Sequence, residues 1–261
     1  MQRMGALVTG AAHRLGRAMA LELGRLGFSV AVHYASSADG AQGTVAALRE
    51  AGVNAAAVRA DLLSEAETQG LVPAAAEALG MPLNVLVNNA SIFEYDNIET
   101  ATRESWDRHM ESNLRAPFVL SQAFARQAPP PVQDEGAEPV AQALIVNMVD
   151  QRVRKLTPEF MSYTIAKMGL WALTRTSAQA LAPAIRVNAI GPGPTLRGHR
   201  QSEEHFARQR AATILRRGAD ADDIVRALRF LVESRSVTGQ LICVDGGQHL
   251  AWQTPDVLGI E

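Results

Sequence analysis

Short apolar runs recur along the chain at Ala6–Val8, Ser29–Tyr34, Ala55–Val58, Val85–Val87, Leu144–Met148, Ile185–Ala189 and Leu241–Val244. Within them apolar residues mostly follow one another instead of alternating with polar ones, which is the pattern of strands covered on both faces. The stretches between are longer and carry helical periodicity, as in Ala18-Met19-Ala20-Leu21-Glu22-Leu23. Buried strands alternating with crossover helices predict an α/β fold with a doubly wound parallel sheet. Residues 1–261 are expected to form a single domain, since α/β units of this length often keep one large core. The one break is Ala128–Gln142, where four prolines and a glycine interrupt the pattern; it predicts an exposed loop insertion over 128–142.

Composition narrows the partners more than the fold. A net charge of −2 and a pI near 6.3 give no general attraction to polyanions, so nucleic acid is not an expected partner. The first strand begins within about five residues of Met1, and no run of about 18 apolar residues occurs, which predicts a soluble, cytoplasmic protein without a membrane partner. The one cysteine, Cys243, lies in the apolar run Leu241–Val244 and reads as a small buried hydrophobe. It excludes a disulfide within the chain and a cysteine-based zinc cluster, and no metal is expected.

Two stretches carry chemistry. Residues 9–17 read TGAAHRLGR between the first strand and the first helix. A glycine turn entering a helix presents unpaired N–H groups and the positive helix end to a phosphate. Gly10 and Gly16 fit that use, but Arg14 stands where a middle glycine is usual. Farther on, Tyr163 and Lys167 lie four apart in a helical segment opening near Pro158. That spacing puts both on one face, where a lysine charge favours the phenolate and makes Tyr163 a proton donor and acceptor.

In order along nearly the whole chain come TGAAHRLG, Asp61 after the third strand, NNAS at Asn88–Ser91, Asn113, YTIAK, RVNAIGPG at Arg186–Gly193 and TGQLICVDGG at Thr238–Gly247. This series resembles the short-chain dehydrogenase/reductase family, whose fold is a Rossmann-type doubly wound sheet flanked by helices. The resemblance implies that Tyr163 is the catalytic acid, that Lys167 binds the nicotinamide ribose and lowers the tyrosine pKa, and that Asn113 holds a proton-relaying water. It places the cofactor on Gly10, Arg14, Leu15, Gly16, Asp61, Leu62, Asn89, Ala90, Ser91, Tyr163, Lys167, Pro192 and Gly193. Thirteen residues before the tyrosine the family usually has a serine that binds a substrate carbonyl; here the residue is Asp150.

Three departures together, Arg14 in the turn, Asp150 for the serine and Phe93 four residues after Asn89, are similar to the pteridine reductases. That subgroup implies a substrate site of Arg14, Phe93, Asp150 and Tyr163. The chemistry agrees. A flat, nitrogen-rich bicycle stacks on an apolar ring, and a carboxylate serves its N–H groups better than a hydroxyl does. Arg14 adds a fixed charge between cofactor and substrate. The bland alternatives are that Arg14 decorates the helix start, Phe93 packs its loop and Asp150 is a drifted serine.

NADP(H) is the expected cofactor. The second strand ends His33-Tyr34-Ala35-Ser36-Ser37 with no acid before Asp39, so nothing repels a 2′-phosphate, and Ser36, Ser37, His33 and Arg14 are candidate donors to it. Three functions stay open: NADPH-dependent reduction of a pterin or dihydropterin, carbonyl or 3-oxoacyl reduction with Asp150 replacing the serine, and a non-catalytic nicotinamide-binding regulator. Retention of Tyr163, Lys167 and Asn113 speaks against the last. A substrate loop is expected over 194–217, with Arg197, Arg200, Arg208, Arg210, Arg216 and Arg217 either solvated or facing an anionic substrate. The family resemblance implies a homotetramer built on long helices near Arg103–Gln127 and Glu159–Ala182, with Leu250 and Trp252 of the tail available to dock on a neighbour.

Overall fold

The computed structural model describes residues 4–198 and 201–253. Seven parallel strands form one sheet: β1 (Met4–Val8), β2 (Phe28–Tyr34), β3 (Ala55–Arg59), β4 (Leu83–Asn88), β7 (Ala143–Met148), β8 (Ile185–Pro192) and β9 (Leu241–Val244), in the order β3-β2-β1-β4-β7-β8-β9. Every apolar run became a strand. The central ones, Ala6–Val8, Val85–Val87 and Ala143–Met148, are buried throughout, as runs without alternation require.

Helices cover both faces. On one side α1 (Arg14–Arg25), α2 (Ala38–Glu50) and α8 (Ala221–Glu233) bury Met19, Leu23, Val45, Leu48, Ile224 and Leu228 against the sheet. On the other, α3 (Glu65–Leu79), α5 (Ala116–Gln127) and α6 (Met161–Leu181) supply a second core with Leu71, Val72, Leu120 and Phe124, and α4 (Arg103–Met110) packs on α6. The long helix expected near Arg103–Gln127 is continuous but widens into a π turn at Glu111–Arg115, which carries Asn113. Residues 132–139 are exposed, and the 128–142 segment folds into a small antiparallel hairpin of β5 (Val132–Gln133) and β6 (Pro139–Val140), with the Asp134 carboxylate accepting the Gly136 and Glu138 N–H groups. A short helix, α7 (Glu203–Ala211), lies within the 194–217 segment.

Strand order reverses beside β1, because β2 and β3 lie to one side and β4 to the other. A crevice opens at such a reversal above the strands' carboxyl ends, and ligands of open α/β sheets bind there. The loops after β1, β4, β7 and β8 all meet at that end. Two expectations need correction. Cys243 is half-buried on edge strand β9, because among the described residues nothing pairs beyond that strand. Helix α6 begins at Met161 and not near Pro158, because Phe160 takes a left-handed conformation, φ 56°, that ends the irregular stretch before it.

Candidate active site

The turn after β1 is tied to the turn after β4. The Asn89 and Ala90 N–H groups donate to Thr9 Oγ1 at 2.8 and 2.9 Å, and Asn89 Nδ2 donates to the Thr9 carbonyl at 2.8 Å. Gly10 has φ +62°, and a Cβ on Gly16 would stand 2.2 Å from the Gly10 oxygen and 2.6 Å from Asn89 Nδ2. Only glycine fits at Gly16, so the start of α1 approaches the strand end closely. His13, at the N-cap, makes no side-chain bond to the helix, leaving the first-turn N–H groups of Leu15 and Gly16 without a capping side chain. This cradle suits a phosphate.

Arg14 solves the missing glycine in an unexpected way. It adopts φ 53° itself, a conformation uncommon for a side-chain-bearing residue. Its guanidinium then reaches over the crevice to donate to the carbonyls of Leu196 and Arg197 at 3.1 and 3.0 Å. Arg14 therefore joins the turn to the 194–217 segment. Of the other arginines there, Arg210 is spent on the carbonyls of Pro194, Gly218 and Ala219 and on Asp220, and Arg217 on Asp220 and Asp223. Arg200 lies outside the described residues.

At the end of β2, His33 is corrected from phosphate donor to scaffold. It is buried, it accepts the Gly10 N–H at Nδ1 (3.0 Å), and Nε2 faces the Ala60 carbonyl at 3.0 Å. A backbone N–H can only donate, so Nδ1 is the acceptor and Nε2 carries the hydrogen; both ring nitrogens are used. Burial also holds the imidazole below its ordinary pKa. Ser36 is exposed, and Ser37 caps α2 without spending its hydroxyl there. His13, which the sequence reading passed over, packs its ring on Gly40 in the first turn of α2, beside these serines. Asp61 follows β3 and accepts the Leu63 N–H, with Leu62 buried behind it. Pro192 ends β8, and Gly193 passes so near Asp245 that a Cβ would meet it at 2.5 Å.

Tyr163, Lys167 and Asp150 come together across the ends of β7 and α6. Tyr163 donates its hydroxyl to Asp150 Oδ2 at 3.0 Å, while Asp150 Oδ1 accepts the Arg152 N–H at 2.8 Å. Lys167 Nζ donates to the Met148 carbonyl at 2.8 Å and lies 5.6 Å from the Tyr163 ring centre. Burial raises the Asp150 pKa, with Arg152, Tyr163 and Lys167 opposing it. Burial pushes Lys167 down to about 8. The expected lowering of the tyrosine pKa is reversed here. Burial and then the Asp150 charge hold Tyr163 well above its ordinary value, because a phenolate would stand against a carboxylate. The Tyr163 side chain is thus a phenol that keeps its proton, donated in its hydrogen bond to Asp150.

Phe93 stands at the mouth of this group, 51 % exposed, its ring stacked on Phe160 at 4.4 Å and edge-on to Tyr163 at 4.7 Å. Tyr95 meets Phe160 edge-on, and the Arg152 guanidinium covers Phe160 at 5.1 Å. Phe160 and Arg152 had no signal in the sequence, since residues 151–160 follow no helical or strand period. Ser91 is exposed beside the tyrosine. Asn113 is fully buried and engages both backbone groups of Ile92 with its side chain, at 2.9 Å each. A cavity of about 530 Å³ lies at the opposite end of the sheet between the hairpin, Met4, Phe28 and Arg186, away from these residues. Among the described residues no cluster of metal ligands occurs.

Comparison with known proteins bears on this arrangement. A family model described as enoyl-(acyl carrier protein) reductase matches residues 10–249. FolM alternative dihydrofolate reductase 1 from Brucella suis, crystallised in complex with NADP, is 44 % identical with a TM-score of 0.89, covering 97 % of this chain and 98 % of that one. The protein of the same name from Brucella canis, also with NADP, is 42 % identical with a TM-score of 0.88 and 98 % of each chain covered. A 3-oxoacyl-[acyl-carrier-protein] reductase from Staphylococcus epidermidis is 30 % identical over 250 residues, 94 % of this chain and 98 % of that protein.

Proposed function

The chain belongs to the short-chain dehydrogenase/reductase family and is an NADP-dependent oxidoreductase; from that premise we propose that it reduces the ring of a pterin or dihydropterin. The observation that carries the reading is the Asp150–Tyr163 hydrogen bond beside the exposed face of Phe93. The names of the two Brucella relatives, alternative dihydrofolate reductases, support it.

The cradle fits a dinucleotide, since the lack of a Cβ at Gly16 lets the start of α1, with its uncapped N–H groups, lie against the Gly10 turn where a pyrophosphate would sit. Gly10, Arg14, Leu15, Gly16, Asn89, Ala90, Ser91, Asp61, Leu62, Pro192 and Gly193 would hold the cofactor, with Ser36 and Ser37 toward its 2′-phosphate. When bound, its nicotinamide supplies the hydride. Phe93 offers its free surface to a flat ring. Asp150 accepts from ring or amino N–H groups, and Tyr163 releases the phenolic proton to a ring nitrogen. Lys167, fixed on Met148, keeps a cation behind the phenol as its negative charge develops. Arg14 would leave the 196–197 carbonyls to meet the ligands. A cytoplasmic homotetramer acting on a small molecule fits the partly exposed Trp106, Phe118, Ile165 and Met168 on α4, α5 and α6.

The second reading, carbonyl or 3-oxoacyl reduction, is favoured by the 3-oxoacyl reductase relative and opposed by Asp150. Nicotinamide absorbance should be followed with 7,8-dihydropterin, 7,8-dihydrofolate, a ketone panel and an acetoacetyl thioester, for wild type and Asp150→Ser. Pterin turnover by wild type, lost in Asp150→Ser, is the expected result. Turnover of ketones alone, improved by the serine, would establish the carbonyl reading.

A further inference from the structure

Three buried side chains that the proposed reduction does not use lie directly behind Tyr163. Asp96 comes from the loop after β4, His109 from the last turn of α4 and Ser162 from the first turn of α6, and none is more than 1 % exposed. Their proton arrangement follows from partners that cannot change roles. The Glu94 backbone N–H donates to His109 Nε2 at 3.1 Å, so that nitrogen is bare. The hydrogen of the neutral ring is then on Nδ1, which donates to Ser162 Oγ at 2.6 Å. Ser162 has its own hydroxyl hydrogen left for Asp96 Oδ2. Asp96 also accepts the Ser162 N–H at 3.1 Å and the Ser105 hydroxyl at 3.2 Å.

The direction of donation is therefore fixed from Glu94 through His109 and Ser162 to Asp96. Burial holds the imidazole below its ordinary pKa, with Arg108 and Lys167 adding to that and Asp96 and Glu94 opposing it. Against burial, hydrogen bonds from Ser162 and Ser105 hold the Asp96 carboxyl below its ordinary range. A neutral imidazole and an ionised carboxylate are the states the geometry needs.

The two ends of this chain of bonds touch the two halves of the candidate site. Glu94 follows Phe93, and Ser162 precedes Tyr163. The His109 ring itself stands edge-on to the Tyr163 ring, centre to centre 6.0 Å. One turn farther along the same helix, Asn113 holds Ile92 by both backbone groups, so the Ile92–Glu94 segment is pinned at two points from one side. Phe93 lies between the pins.

We propose that His109 is a positioning residue for the reduction: it ties the segment carrying Phe93 to the residue before Tyr163, setting the stacking ring and the phenol against each other. This rests on Tyr163 being the proton donor. The two ring nitrogens have separable duties. Nε2 places the Phe93 segment and so governs substrate binding, whereas Nδ1 places Ser162 and so governs the proton transfer.

Two replacements divide the duties. The amide of His109→Gln reaches as far as Nε2 and accepts the Glu94 N–H, but leaves Ser162 without its donor. The shorter amide of His109→Asn stands near Nδ1 and donates to Ser162, but cannot reach Glu94. Steady-state kinetics should be measured on the full chain for both variants, with Ser162→Ala and Tyr163→Phe alongside, using NADPH and the best substrate of the panel above, together with melting temperatures. The expected result is crossed. His109→Gln and Ser162→Ala lower kcat about three- to tenfold with KM for the substrate little changed, and His109→Asn raises KM by a similar factor with kcat little changed. Wild-type kinetics in all three variants overturn the proposal, as does a parallel loss of kcat and KM that follows the melting temperature, which is what a purely structural role would give. Ser162→Ala removes one hydroxyl only and carries the kcat arm should the histidine variants not fold. Turnover retained in Tyr163→Phe marks the failure of the proton-donor assignment, separately from that of the positioning role.

Discussion

Replacing Phe93 with alanine removes the surface on which a flat substrate would lie, and the structure sets the size of the effect. The side chain is 51 % exposed, while its remaining area is covered by Phe160, stacked at 4.4 Å and nearly parallel, and by the Tyr163 edge. A phenylalanine exposes roughly 200 Å² when free, so about 100 Å² remains open here. A bicyclic ring covering about half of that removes about 50 Å² from water, worth about 1.2 kcal/mol at roughly 25 cal/mol per Å². Aromatic stacking adds about 0.5–1.5 kcal/mol. The sum is about 2 kcal/mol, or roughly thirtyfold in substrate affinity. The assay is a competition measurement of dihydropterin Kd on the NADPH-free and NADP-bound protein, with KM as a second reading. Because Phe93 makes no hydrogen bond to Tyr163 or Asp150 in its own right, kcat at saturation should change far less than KM. Phe160→Ala, which removes the shelf beneath Phe93, should raise KM in the same direction. A change below about twofold in both Kd and KM would refute the stacking argument and return Phe93 to loop packing.

Further expectations concern the proton donor, the cofactor and pH. Tyr163→Phe keeps the buried ring but removes the proton that Asp150 accepts, so turnover should fall by at least about 10²-fold while NADPH affinity, read by fluorescence titration, stays within about twofold. NADPH should bind more tightly than NADH, and Ser37→Asp, which puts a carboxylate at the start of α2, should weaken NADPH about tenfold and NADH little; equal effects on both would remove the serines from the 2′-phosphate site. Burial lowers Lys167 to about 8 against 10.5 for a free lysine, so between those values the unfolded chain holds a proton that the folded chain has released. Stability of the cofactor-free protein should therefore gain a rising contribution as pH goes from about 8 to 10.5, absent in Lys167→Met, and denaturant midpoints across that window decide it.

The sheet was readable because its strands are buried on both faces: consecutive apolar runs such as Leu144–Met148 admit few other readings once helices alternate with them. Gly10 and Gly16 were readable because a turn between a strand and a helix demands them locally, although Asn89 of the turn after β4 also closes on them. Hidden were the features that depend on residues far apart in the chain. Arg14 finds its carbonyl partners at 196 and 197, and nothing in TGAAHRLGR announces that it will take the left-handed conformation to reach them. His33, read as a free donor at a strand end, has both nitrogens absorbed by Gly10 and Ala60. The hairpin in 128–142 rests on two residue pairs too short to register as periodicity.

The tyrosine shows most sharply why spacing alone does not settle chemistry. Tyr163 and Lys167, four apart on a helix, share a face as the spacing requires, and from that alone the cation should favour the phenolate. But burial acts on both groups at once, lowering the lysine and raising the tyrosine. After burial, the second influence is the Asp150 carboxylate, 3.0 Å from the phenolic oxygen, which opposes the phenolate and supports the ammonium. A serine at position 150 would give the same helix, the same spacing and the same lysine, without the opposing charge. Burial and the aspartate together therefore hold the proton on the phenol, against the bias that the spacing alone would give. That is why the Asp150→Ser exchange, conservative in size, should alter which substrates receive the proton and leave the fold as it is.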